Sequence, residues 1–191
     1  MIPELEEKTR RITAMLDREG LDAVLLNAQH NFAWLSCGGT NGIDHSRDNG
    51  AATLMVTRNG KRYVLANNIE MPRMLAEELS ADDFEPVGFQ WQVEKESGNI
   101  VLNLAREFVG GSRIATDIAL FPDATPIEGK IAACRYQLTS DELDRFRALG
   151  RDAGTAMQRT MEDLKVGETE LSITEKIRHT LGDGGMESVV T

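Results

Sequence analysis

The stretch "GGTNGIDHSRDNG", residues 38 to 50, sets Asp44, His45, Arg47 and Asp48 into a few positions between glycines. A guanidinium such as Arg47 clamps a substrate carboxylate through its planar fork. An imidazole such as His45 moves a proton near neutral pH. Metal binding is a poorer fit, because Asp44, His45 and Asp48 lack a second histidine and any helical ligand spacing. The same residues also read as a solvated polar loop, and composition alone does not separate the two readings.

The other residues with chemical potential stand alone. His179, in "KIRHTL", suits a helix C-terminus, where a cation meets the negative end of the dipole. His30 has no carboxylate near it in sequence and reads as structural. Cys37 and Cys134 match no metal or redox spacing and sit in apolar contexts, so free thiols are expected rather than a disulfide. There is no G-x-S-x-G elbow, no Walker A loop, no H-E-x-x-H and no paired zinc cysteines. Gly182 to Gly185 read as a helix stop. Gly150 and Gly154 form a G-x-x-x-G, expected to allow close backbone packing. No catalytic residue and no metal ligand is assigned within the 191 positions.

The elements around these residues alternate. "PELEEKTRRITAMLDREG" predicts a helix from Pro3 to a stop at Gly20, with Leu5, Ile12, Met15 and Leu16 on one stripe. "LDAVLL", residues 21 to 26, predicts a strand buried on both faces, and "NAQHNFAWLSCGG" a helical turn or short helix. "AATLMVT" and "RYVLAN" flank Asn59-Gly60, a hairpin signature. A helix at "MPRMLAEEL", a strand at "PVGFQW", a helix at "NIVLNLAREFV" before Gly110 and a strand at "RIATD" complete the series. The order predicts an α/β fold: a mixed, mostly parallel sheet with one antiparallel hairpin, flanked by helices.

After this the texture changes. Thr139 and Glu142 form a capping box. Leu143, Phe146, Leu149, Ala153, Met157, Met161 and Leu164 then recur every three or four residues, a long amphipathic helix. A second helix follows Thr169, and "MESVVT" reads as the beginning of a strand. The expected division is a domain over 1–125, a linker over 126–138, and an incomplete second domain over 139–191. A net charge of −10 argues against nucleic acid and anionic membranes as partners. No signal peptide or membrane span is read, so a cytoplasmic location is expected.

The ordered set "GLDAVLL" (Gly20 to Leu26), Asn31, Trp34, Leu35 and Gly38 resembles the N-terminal domain of the creatinase, prolidase and Xaa-Pro aminopeptidase family. "LTSDELDRF" and "VGETEL" resemble the first helices of the family's pita-bread domain, departing from it at Leu138, where a basic residue is usual, and at Val166, where proline is usual. The resemblance implies a creatinase-like N-terminal domain followed by the start of a metallopeptidase domain. Two divalent metal ions, Mn or Co, would be held by residues beyond Thr191, so the chain itself would be inactive. It implies a homodimer or higher homo-oligomer acting on a peptide or small amide. It also implies that Asp44, His45 and Arg47 contact substrate in a neighbouring subunit. The alternatives are a creatinase-like C–N hydrolase and a stand-alone assembly or ligand-binding module.

Overall fold

The computed structural model describes residues 3–44 and 46–188. They group into two compact units, Met1–Gln137 and Leu138–Thr191.

In the first unit, helix α1 (Pro3–Glu19) opens on its proline and buries Leu5, Ile12, Met15 and Leu16 on one stripe. Gly20, at φ 67°, ends it in the left-handed conformation that glycine adopts without steric cost. Strand β1 (Ala23–Ala28) is buried along its whole length. It begins two residues later than the sequence suggests. The Leu21 N–H is drawn back to the Leu16 carbonyl and the Asp22 N–H to Arg113, which leaves the ladder to start at Ala23. Helix α2 (Gln29–Leu35) follows directly.

Strands β2 (Asn49–Thr57) and β3 (Arg62–Asn67) form the hairpin expected from Asn59-Gly60, with Gly60 at φ 82°. Helix α3 (Met71–Arg73), prolonged by a π turn over Met74–Glu78, crosses to β4 (Glu85–Phe89). Then come α4 (Trp91–Glu96) and α5 (Ile100–Val109), the latter stopped by Gly110 at φ 62°. Strands β5 (Ile114–Thr116) and β6 (Thr125–Pro126) and helix α6 (Glu128–Arg135) complete the unit.

The sheet has six strands in the order β4-β3-β2-β1-β5-β6. The pairs β3/β4, β1/β5 and β5/β6 are parallel, whereas β1/β2 and β2/β3 are antiparallel. It is thus the mixed, mostly parallel α/β sheet of the sequence reading, with one further antiparallel neighbour for β1. Successive strand residues face opposite sides. Val24, Leu26, Leu54 and Val64 pack in one core with α1, α2 and α6. Leu25, Met55 and Leu65 pack in the other with Val101, Leu102 and Ala105 of α5. Each border strand carries a proline, Pro86 in β4 and Pro126 in β6.

The second unit is two helices. Thr139 caps α7 (Ser140–Glu162): its hydroxyl accepts from the Glu142 N–H at 3.2 Å, and the Glu142 carboxylate accepts from the Thr139 N–H at 2.8 Å. Thr169 caps α8 (Glu170–Asp183) through the Ser172 N–H. Lys176 ties the turn between them, reaching the Asp163 carbonyl at 2.9 Å and Glu168 at 2.6 Å. The apolar stripe of α7 is open: Phe146 is 59% and Met161 67% exposed. Among the described residues nothing packs closely at Gly150 or Gly154, since a Cβ at either would meet nothing within 4 Å. The strand expected over 186–191 falls partly outside the described residues, and 186–188 carry none.

Candidate functional site

The loop between α2 and β2 is built on a rigid base. Cys37 turns the chain at φ 62° and Gly38 at φ 127°. Gly39 then passes so close to the Glu78 carbonyl that a Cβ would stand 2.5 Å from it. The Glu78 carboxylate accepts from the Thr40 N–H at 2.6 Å and the Thr40 hydroxyl at 3.1 Å, and Arg73 holds that carboxylate at 2.9 Å.

Asn41 is fully buried. Its amide donates to the Asn27 carbonyl at 2.9 Å and the Ala52 carbonyl at 2.8 Å, stitching β1 to β2 where their register shifts. A Cβ on Gly50 would lie 2.1 Å from the Asn41 side chain, so only glycine fits there. The Asn27 amide donates in turn to Gly50, Ala52 and Thr53.

Gln29 does the same for the outer part of the loop. Its Nε2 donates to the carbonyls of Asp44 at 3.1 Å and Arg47 at 2.9 Å, and its backbone N–H to Asp48 at 2.8 Å. These bonds satisfy loop carbonyls that would otherwise need water.

The tip carries the residues singled out from the sequence. Asp44 and Arg47 are brought together, Oδ2 to Nε at 3.1 Å, and both are half or more exposed. The other carboxylate oxygen of Asp44 accepts from the Ser46 N–H and hydroxyl at 2.9 and 2.6 Å. His45 lies outside the described residues. Asp48 is exposed. Arg47 is 69% exposed, and its guanidinium carries further donors of the kind that suits a carboxylate.

His30 is not the isolated residue its sequence context suggests. Its Nε2 stands 3.3 Å from Glu128 at the start of α6. Glu128 also accepts from Asn31 at 2.7 Å and Arg135 at 2.5 Å. Asn31 donates as well to the buried Asp117, whose carboxylate receives the Ala28 and Ile118 N–H groups. Asp117 thereby caps the α2 entry, where Ala28 offers no side-chain acceptor. The contacts of Ala28, His30 and Asn31 with Asp117 and Glu128 span 86 to 98 residues, so no local pattern announces them. His179 is exposed near the end of α8, 3.8 Å from Asp183. Cys37 and Cys134 are not joined in a disulfide, and burial pushes the Cys134 thiol pKa up.

Among the described residues, no group of three or more His, Cys, Asp or Glu side chains could hold a metal ion. The described residues therefore do not fit a dinuclear metal centre. No described helix is long and apolar enough to cross a membrane.

No protein-family model matches the sequence, and no curated protein does. Solved structures do share the fold. The Xaa-Pro dipeptidase from Bacillus anthracis superposes with a TM-score of 0.70 at 13% identity, over 94% of this chain and 49% of that one. For the recombinant prolidase from Thermococcus sibiricus the TM-score is 0.71 at 15% identity, over 96% and 50%. The X-Pro aminopeptidase from Thermotoga maritima gives 0.60 at 14% identity, over 93% and 49%. At such identities the likeness is one of fold, and the chain spans about half the length of these proteins. It has the fold of the N-terminal half of prolidase and Xaa-Pro aminopeptidase chains.

Proposed function

We propose that this chain is the non-catalytic N-terminal portion of a cytoplasmic, metal-dependent aminopeptidase resembling Xaa-Pro aminopeptidase or prolidase. In that role it joins copies into a homodimer or higher homo-oligomer and shapes the active site of a neighbouring subunit. The observation that carries the reading is the fold likeness over more than nine-tenths of this chain to about half of each peptidase chain. The open stripe of α7 supports it, because a soluble protein rarely leaves so long an apolar face uncovered. The metal pair, Mn or Co, belongs to residues outside this chain.

Asp44, His45 and Arg47 are the residues assigned to the neighbour's substrate. The braced base of their loop supports this: a contact made across a subunit boundary is effective only if the arm is ordered beforehand. Arg47 is the group that takes a peptide carboxylate.

The test begins with the intact mass of the native polypeptide in its source cells. The reading expects roughly twice the 21.1 kDa of this chain and metal-dependent cleavage of Xaa-Pro peptides. In that protein Arg47→Ala should raise KM for a dipeptide by about tenfold, the loss of one charge-assisted pair. A native polypeptide of 21.1 kDa without such activity would sink the proposal.

A further inference from the structure

We infer that Cys37 and Lys8 form a modification site, at which a peroxide oxidises the thiol and the oxidised sulfur then closes a reversible sulfur–nitrogen bond to the lysine. This inference does not depend on the peptidase reading. Lys8 is 1% exposed, a rare place for an ammonium. Its Nζ meets Glu4 Oε1 and the Trp34 carbonyl, each at 2.6 Å, and stands 5.4 Å from the centre of the Trp34 ring. It also reaches the Cys37 sulfur, 3.9 Å away. Helix α1 thus brings a buried amine, with a carboxylate beside it, to the thiol just past the end of α2. Cys37 is half-buried and Gly38 after it is exposed, so this residue has a solvent side as well as a lysine side.

The second cysteine shows what the first has in addition. The Cys134 sulfur faces the Arg11 and Lys130 carbonyls at 3.7 and 3.6 Å. Burial pushes its thiol pKa up despite the nearby Arg18 and Arg11. Buried thiols of that kind are inert, whereas a cation beside a sulfur favours the thiolate, the form that attacks a peroxide.

The chemistry runs in two steps. The Cys37 sulfur attacks one oxygen of hydrogen peroxide and the O–O bond breaks. The sulfur keeps a hydroxyl, as a sulfenic acid, and the departing hydroxide leaves as water with the thiol proton. The sulfur is oxidised by two electrons and the peroxide is reduced. Lys8 Nζ then passes a proton to the Glu4 carboxylate and attacks the sulfur. The S–O bond breaks, and its hydroxide leaves as water with a second proton from the nitrogen. The product is a sulfenamide joining α1 to the base of the loop over 38–50, with Glu4 protonated. A small thiol reverses it: attack on the sulfur breaks the S–N bond, the amine recovers its proton, and a second thiol clears the mixed disulfide.

Treatment of the 191-residue protein with a slight excess of hydrogen peroxide, then thiol alkylation and peptide mapping by mass spectrometry, tests the assignment. A product lighter by two hydrogens should form, with the segment bearing Lys8 joined to the segment bearing Cys37. Trypsin should no longer cut after Lys8, and dithiothreitol should restore the parent mass. Cys37 should be consumed at least about tenfold faster than Cys134. Cys134→Ser should still form the link, and Cys37→Ser should not. Oxidation of Cys37 that leaves Lys8 unlinked overturns the inference. So does a Cys37–Cys134 disulfide in place of the link, or equal consumption of the two thiols.

Discussion

Helices α1 and α7 carry the same kind of amphipathic stripe, yet their surroundings differ. Ile12 and Leu16 of α1 are 0% exposed against the sheet, whereas Leu149 and Met161 of α7 are 51% and 67% exposed. Both begin with a proper signal, a proline at the first turn in α1 and a capping box in α7. Local grammar thus makes a helix in either unit, but only the sheet gives α1 something to pack against. An apolar stripe states that a partner is wanted, and a sequence does not say where the partner is.

The largest effects should expose that contrast. Leu16→Ala should lower stability by about 2–5 kcal/mol, the cost of a core cavity, while Leu149→Ala stays within about 0.5 kcal/mol. Urea unfolding of both variants measures the difference, and equal losses would mean that the α7 stripe is covered in solution. The glycines should behave in the same divided way. Gly50→Ala drives a methyl into Asn41 and should cost about 1–3 kcal/mol. Gly150→Ala meets open space within a helix and should stabilise α7 by about 0.5–1 kcal/mol, seen as a higher unfolding midpoint by circular dichroism.

Thr139→Ala removes the capping hydroxyl and should cost α7 about 1 kcal/mol, seen as a lower unfolding midpoint by circular dichroism. The smallest effect is electrostatic. The Arg113 hydrogen bond to Asp22 holds that carboxyl below its ordinary 3.8. Its contribution is therefore present above pH 3.8 and is lost as pH falls through the lowered value. Carboxyl NMR titration should find Asp22 under 3.8 in the parent protein, and Arg113→Ala should raise it.

Much of the fold was legible because its signals are short-range. Gly20 stopped α1, Asn59-Gly60 turned the hairpin, and Thr139 with Glu142 opened α7. Helix α4 was not legible: "WQVEKE" has neither a cap nor a buried face. Strand β1 begins two residues late because the helix stop claims Leu21 and Arg113, 91 residues away, claims Asp22.

The candidate loop divided likewise. Its charged tip stood out by residue type, but its bracing did not. Gln29, Asn41 and Asn27 are ordinary polar residues whose value comes from carbonyls that the fold alone brings near. The glycines at 39, 42 and 50 lie where the loop passes close to its neighbours, since a Cβ on any of them would stand 2.5 Å or less from another atom. The partner of His30 is not visible in the sequence, because Glu128 comes near only after β5 and β6 are laid beside β1.

The prolines on the two border strands bear on how this protein behaves when crowded. A sheet grows by offering unpaired N–H and C=O groups to another chain, and a long flat border templates fibres and aggregates. Here one border is β6, two residues with Pro126 as its second, and the other is β4, with Pro86 inside it and exposed Glu85 before it. Each proline withdraws an amide donor from the growing side. Copies that meet at high concentration, as on a ribosome making many at once, find the sheet closed to extension in both directions. Association is left to helices and loops, where side chains can choose the partner.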